Sequence, residues 1–114
     1  MNHTQIFSSS ASLRWLPELA SSCGYKSQEL ARALCITPRH LQRMFAAELG
    51  RSPREWLNEQ RLLAARQMLS TSSTVKEVAY ALGFPTVSQF SRDFRSHFGV
   101  RPSSLLGARD EAGD

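Results

Sequence analysis

The stretch TPRHLQRMFAAELGRSP at residues 37–53 returns as TVSQFSRDFRSHFGVRP at residues 86–102. A chain that carries the same rhythm twice must build the same local structure twice. Around these two stretches the register holds further. At an offset of 48, Glu29-Leu30-Ala31 meets Glu77-Val78-Ala79 and Ala33-Leu34 meets Ala81-Leu82. At 49, Thr37 meets Thr86, Leu41 meets Phe90, Arg43 meets Arg92, Phe45 meets Phe94, Leu49 meets Phe98, Gly50 meets Gly99 and Pro53 meets Pro102. One inserted residue, Pro85, accounts for the change of offset. The pattern is an internal duplication of a helix, a short turn and a second helix.

The second helix of each copy carries its own start and stop. Thr37 is placed as an N-cap with Pro38 at the first helical position, and Gly50 closes the helix after Leu49. Leu41, Met44, Phe45 and Leu49 follow the i, i+3, i+4, i+8 spacing of one buried stripe. In the second copy Thr86 is the cap, Phe90, Phe94 and Phe98 the stripe, and Gly99 the stop. The preceding helices are expected near residues 27–34, burying Leu30, Ala31 and Leu34, and near residues 74–82, opened by a capping box from Thr74 to Glu77.

Ser52-Pro53-Arg54-Glu55 is a second capping box and starts a longer helix to about Leu69. Trp56, Leu57, Leu63, Ala64 and Met68 are its expected core positions, and the segment TSST, residues 71–74, ends it. A first helix over about residues 12–23 turns Leu13, Leu16, Leu19 and Ala20 to one face. Pro17 falls within it, so that helix either starts near Pro17 or kinks there. Pro102 begins a short last helix with Leu105 and Leu106. No strand pattern occurs, so the expected class is all-α, with about seven helices forming two helix-turn-helix subdomains joined by a long linker helix. The expected division is a loose leader at 1–10, a first module at 11–51, the linker helix at 52–70, a second module at 71–107 and a loose acidic tail at 108–114.

Charge bears on the partner. Residues 1–108 hold 13 basic against 7 acidic groups, a balance of +6, and twelve of the chain's 14 basic residues are Arg. Arginine's planar fork suits phosphates and base edges better than lysine's point charge does. Cys23 and Cys35 have neither CxxC spacing nor a second pair, so both are read as small, reduced, partly buried residues without a disulfide framework or zinc site. His3, His40 and His97 lie far apart and form no HExxH, which leaves no metal or catalytic constellation. No catalytic residue and no cofactor is expected, and the chain is expected not to be an enzyme. No apolar run approaches the ~18 residues of a membrane span, and residues 1–10 lack a signal-peptide pattern. A cytoplasmic protein with no membrane partner is the expectation.

A short helix joined by a three- or four-residue turn to a second helix can place that second helix in the major groove of DNA. One copy is equally an ordinary helical hairpin. Two copies, with the stripe kept and Arg kept at the same outward step, favour the DNA reading. HLQRMF, GRSPREWL, RLLAARQML, VAYALGF and SQFSRDFRSHFGVRP together resemble the DNA-binding domain of the AraC/XylS family of bacterial transcription regulators, over about residues 25–106. The family's I-A-x-x-x-G-F run and S-x-F-S-R-x-F-K-x-x-x-G-x-x-P run are met at Val78, Ala79, Gly83, Phe84, Ser88, Phe90, Ser91, Arg92, Phe94, Gly99 and Pro102. HLQRMF is also similar to the stand-alone MarA/SoxS/Rob branch. The chain departs from the pattern at Pro17, at Val87, where Gln is frequent, and at Leu105, where Tyr is frequent.

The resemblance implies base contacts from Arg39, His40, Gln42 and Arg43 on the first recognition helix and from Val87, Ser88, Gln89 and Arg92 on the second. Arg43 and Arg92 lead, each two residues after a buried anchor, unless they pair instead with acids such as Glu48 or Asp93. For His40 and Gln89, plain solvation competes with contact. Arg51, Ser52, Arg54, Arg95 and Arg101, with the caps Thr37 and Thr86, are the expected phosphate contacts. The implied function is a sequence-specific transcription regulator reading two adjacent major-groove segments of double-stranded DNA as a monomer. RNA polymerase is a further candidate partner, and no small-molecule site is expected in this chain. The rival reading is a helical protein-interaction module that antagonises a related regulator.

Overall fold

The structure, a computed structural model, describes residues 10–71 and 74–106, with side chains from Leu16 on. The expected leader at 1–10, all but Ser10, and the tail at 108–114 lie outside the described residues, as do positions 72 and 73 of the TSST segment. Six α-helices follow one another: α1 (Ser10–Ser22), α2 (Ser27–Ala33), α3 (Pro38–Leu49), α4 (Pro53–Leu69), α5 (Val75–Ala81) and α6 (Val87–Phe98), with a terminal 3-10 turn at Pro102–Leu105. No strand occurs among the described residues. The chain divides into two compact units, Met1–Gln60 and Arg61–Asp114, so that the boundary falls inside α4.

The first unit closes around Leu16, Ala20, Leu30, Ala31, Leu41, Met44, Phe45, Trp56 and Leu57, with Leu19, Tyr25, Leu34, Ile36 and Leu49 packed against them. The α3 stripe is therefore the one its spacing foretells. Phe45 meets Trp56 edge to face, ring centroids 5.6 Å apart, which ties the start of α4 to α3. α1 begins at Ser10, well before Pro17, and Pro17 sits inside it on the exposed side. The possibility that the helix starts near Pro17 is thus overturned. The ring removes one backbone donor, and on the solvent side the freed carbonyl can be hydrated.

In the second unit Leu62, Ala65, Leu69, Val78, Ala79, Leu82, Phe84, Phe90 and Phe94 are buried. The α4 contribution corrects the sequence reading, since Leu63, Ala64 and Met68 are only half-buried. The run Leu62-Leu63-Ala64-Ala65 is apolar on every side of a helix, so it leaves the phase open. Spacing Leu62, Ala65, Leu69 as i, i+3, i+7 resolves it by one residue. Phe84 packs on Phe90 (4.8 Å), Phe90 on Phe94 (5.7 Å) and Phe94 on Phe98 (4.6 Å), a continuous aromatic column along α6.

Caps sit where the sequence asks for them. Thr37 Oγ1 accepts from the His40 N–H at 3.1 Å and Thr86 Oγ1 from the Gln89 N–H at 3.0 Å. Ser52 and Glu55 form the reciprocal box that opens α4, with Glu55 N–H donating to Ser52 Oγ (3.1 Å) and Ser52 N–H to Glu55 Oε1 (3.2 Å). Thr74 Oγ1 accepts from the Glu77 N–H at 3.0 Å. The hydrogen bonds from Ser52, its backbone N–H first, hold the Glu55 carboxyl below the usual carboxylate range. A lowered native pKa means that the stabilisation is complete above the unfolded value and lost as pH falls through the folded one. Glu55→Gln should therefore lower the melting point near neutrality and flatten the acid side of the stability profile, its melting point approaching that of the wild type as pH drops below about 4. A wild-type-to-variant gap that stayed constant into acid would contradict this.

Besides the inserted Pro85, the two turns differ in the residue that takes the left-handed position. Gly83 (φ 79°) and Cys35 (φ 60°) hold the same left-handed position after α5 and α2. Cys35 is exposed there, which corrects its assignment to the partly buried residues, whereas Cys23 is half-buried as expected. A side chain in the left-handed region costs about 1–2 kcal/mol. A Cβ placed on Gly83 would meet nothing within 4 Å. Gly83→Ala should then lose about 1 kcal/mol by conformation alone, and Cys35→Gly should gain a smaller amount because glycine also loses more entropy on folding. Phe94→Ala should cost about 3–5 kcal/mol through the cavity it opens. Chemical denaturation of the three variants measures all of these, and an unchanged Phe94→Ala midpoint would place that ring outside the core.

Candidate nucleic-acid interface

Both second helices, α3 and α6, are 12 residues long, capped by threonine at the start and closed by a left-handed glycine. Burial fixes which face each presents outward. With Leu41, Met44 and Phe45 inside, Arg39, His40, Gln42 and Arg43 are all exposed on α3. With Phe90 and Phe94 inside, Ser88 and Arg92 are exposed on α6 and Gln89 is half-buried. Val87 is also half-buried and stands at i, i+3, i+7 with Phe90 and Phe94, on the flank of the buried stripe rather than on the outward ridge.

Neither Arg43 nor Arg92 is in an ion pair among the described residues, in contrast to Arg32, which pairs with Glu29 (3.9 Å), and Arg51, which pairs with Glu59 (2.6 Å). The pairing with Glu48 or Asp93 weighed for them is absent, and both guanidiniums keep their donors for an outside acceptor. Arg51 differs. Its bond to Glu59 spans from the loop to α4 and offsets part of its charge, so it braces the start of α4. Ser52 is likewise committed to its capping box, and Arg54 is exposed in the first turn of α4.

In the second unit Arg92, Arg95 and Arg101 line one open cleft of about 500 Å³, together with Val75, Ser91, Ser96, Pro102 and Ser103. Thus two expected phosphate residues and one expected base reader meet around a single concavity. The terminal 3-10 turn packs on α6 and closes one wall of it. Three guanidiniums with serine hydroxyls between them suit an anion with several oxygens. Sequence reasoning missed the serines. Ser96 follows Arg92 by four residues and so shares its ridge, a signal that was present; Ser91, Ser103 and Val75 are brought in by packing. Among the described residues no group of His, Cys, Asp and Glu could hold a metal ion, and no helix is long and apolar enough to cross a membrane.

This geometry, two units that each present a capped outward helix after a short turn, defines a tandem helix-turn-helix protein. The helix-turn-helix domain family matches residues 30–108, and the chain belongs to this AraC-type family. It is similar to the HTH-type transcriptional regulator ArgR of Pseudomonas aeruginosa, with 38% identity over 77 residues, 67% of this chain and 23% of that protein. The transcriptional activator NphR of a Rhodococcus species is 43% identical over 75 residues, 65% of this chain and 22% of its own length. The chain therefore spans about a quarter of the length of such relatives. Among solved structures it resembles a transcriptional regulator of Chromobacterium violaceum described by its AraC-type DNA-binding domain, at 29% identity and a TM-score of 0.70, covering 89% of this chain and 96% of that one. A DNA-binding transcriptional dual regulator of Escherichia coli K-12 shares the fold at 23% identity and a TM-score of 0.72, covering 84% and 88%.

Proposed function

We propose that the chain is the DNA-reading part of a sequence-specific transcription regulator, each unit laying its outward helix in one of two neighbouring major-groove segments. One observation carries this most directly: Arg43 and Arg92 occupy equivalent steps on α3 and α6, both exposed and neither held in an ion pair. Arg39, His40 and Gln42 on α3, and Ser88 and Gln89 on α6, complete the base-facing sets, which differ between the units, while the half-buried Val87 borders the second set from the flank of the stripe. Bidentate pairing of arginine to guanine is worth about 1–3 kcal/mol of discrimination.

Arg54, Arg95 and Arg101 hold the backbone, supported by Arg51, Ser52 and the capping threonines Thr37 and Thr86, whose hydroxyl protons remain free to donate. Residues 52–70 serve as the connection between the two readers. Since the duplication lies within one chain, one copy suffices for an asymmetric site with contacts about 10 base pairs apart. The protein works where bacterial DNA lies, in the cytoplasm, and RNA polymerase is the machine whose access or recruitment it alters.

Selection of bound duplexes from a random library, followed by binding to every single-base variant, tests the assignment. Arg43→Ala and Arg92→Ala should each lose about 1–3 kcal/mol and relax preference at different positions. Arg54→Ala should weaken all duplexes alike and reduce the slope of log affinity against log salt by about 1. If both outward-arginine variants weakened every duplex equally, these residues would be phosphate clamps. A protein that retained no duplex at low salt would favour the interaction module instead.

A further inference from the structure

The half-buried side of α6, between its stripe and the exposed ridge of Ser88 and Arg92, holds a contact that α3 cannot make. Gln89 Nε2 donates to Asp93 Oδ1 at 2.9 Å, one turn further on, in a partly buried setting. The corresponding steps in α3 are His40 and the buried Met44. A carboxylate only accepts, so the nitrogen of the amide is the atom that faces it and the Gln89 carbonyl oxygen faces away. The backbone of the same residue is fixed as well, its N–H bound by Thr86 Oγ1 at 3.0 Å. Gln89 is thereby ordered at both ends before any ligand arrives.

An adenine presents N7 as acceptor and N6–H₂ as donor in the major groove, and glutamine meets both at once. With one amide hydrogen given to Asp93, Gln89 keeps one hydrogen and its carbonyl oxygen, the couple adenine requires. A guanine edge, with only the O6 and N7 acceptors, finds the Asp93 carboxylate beside it and is disfavoured. Ordering a glutamine at the interface ordinarily costs rotamer freedom on binding; here that loss falls on folding.

We propose that Asp93 is a positioning residue that presets Gln89 to read an adenine in the half of the site bound by the second unit. The inference rests on the DNA-reading function proposed above. It is tested by binding of the wild type, Gln89→Ala, Asp93→Ala and Asp93→Asn to every single-base variant of the selected duplex, with helix content checked by circular dichroism. Gln89→Ala should lose a preference for adenine at one position. Asp93→Ala should lose the same preference, by about fivefold or more, while Asp93→Asn, which keeps an accepting oxygen, should retain it. Both Asp93 variants drop the charge and should gain general affinity alike, so repulsion from phosphates is separated from positioning. Retention of the adenine preference by Asp93→Ala, or its equal loss in Asp93→Asn, would overturn the inference and leave the DNA-reading function standing. A wild type that discriminated among no duplexes would overturn both.

Discussion

In each unit a hydrogen bond across a left-handed residue decides where the outward helix starts. The Ile36 N–H reaches back over Cys35 to the Ala31 carbonyl at 3.0 Å, and the Phe84 N–H reaches over Gly83 to the Ala79 carbonyl at 3.0 Å. Each bond ends the first helix in a Schellman turn, which satisfies a carbonyl that would otherwise lack a partner and sends the chain off its axis. The residue after the turn, Ile36 or Phe84, is thereby directed toward its unit's core, and the threonine cap opens the next helix one or two residues later. The direction of α3 relative to α2, and of α6 relative to α5, follows from that sequence of bonds. So does the set of side chains that faces outward. Pro85 lengthens the second turn by one residue and leaves the bond pattern intact, because it has no N–H to place.

The same scaffold is filled by different means. The first unit uses aliphatic residues around Phe45 and closes them with Trp56. The second relies on the column Phe84, Phe90, Phe94 and Phe98, and two arginines of α4 lie over its ends, Arg61 at 4.9 Å from the Phe84 ring and Arg66 at 5.1 Å from the Phe98 ring. Guanidinium groups favour such ring faces, and their stems cover apolar surface that would otherwise meet water. Two of the basic residues that raise the chain's charge are thus engaged in holding the second unit together.

What the sequence reveals and what it hides divide along the range of the interactions. Caps, capping boxes and the stripes of α3 and α6 are local: Thr37, Ser52 and Thr86 each bond within three residues, so their roles are readable from spacing alone. The phase of α4 is not local. Its apolar run permits several faces, and only the packing of Leu62, Ala65 and Leu69 selects one. Pro17 and Cys35 misled for a related reason, since each goes against a general preference at a position where solvent or the turn tolerates it. At the interface, the matched step of Arg43 and Arg92 is visible from the repeat. The cleft joining Arg92 to Arg101 is visible only after the terminal 3-10 turn has packed on α6.

Because the stripes and turn bonds occupy the inward positions, the outward positions carry little of the fold's stability. Arg39, His40, Gln42 and Arg43 are solvent-exposed on α3, and Ser88 and Arg92 on α6. Surface substitutions away from caps and cores change stability by only about ±0.5 kcal/mol, whereas loss of a good base contact changes discrimination by about 1–3 kcal/mol. The second effect exceeds the first severalfold. A duplicated fold can therefore keep its inward residues matched, as Leu41 with Phe90 and Phe45 with Phe94, while its outward residues diverge, as His40 with Gln89. On the DNA-reading function proposed above, divergence on that face would let two copies of one architecture address two different half-sites, and the internal bond between Gln89 and Asp93 would make one of those faces more exacting than the other.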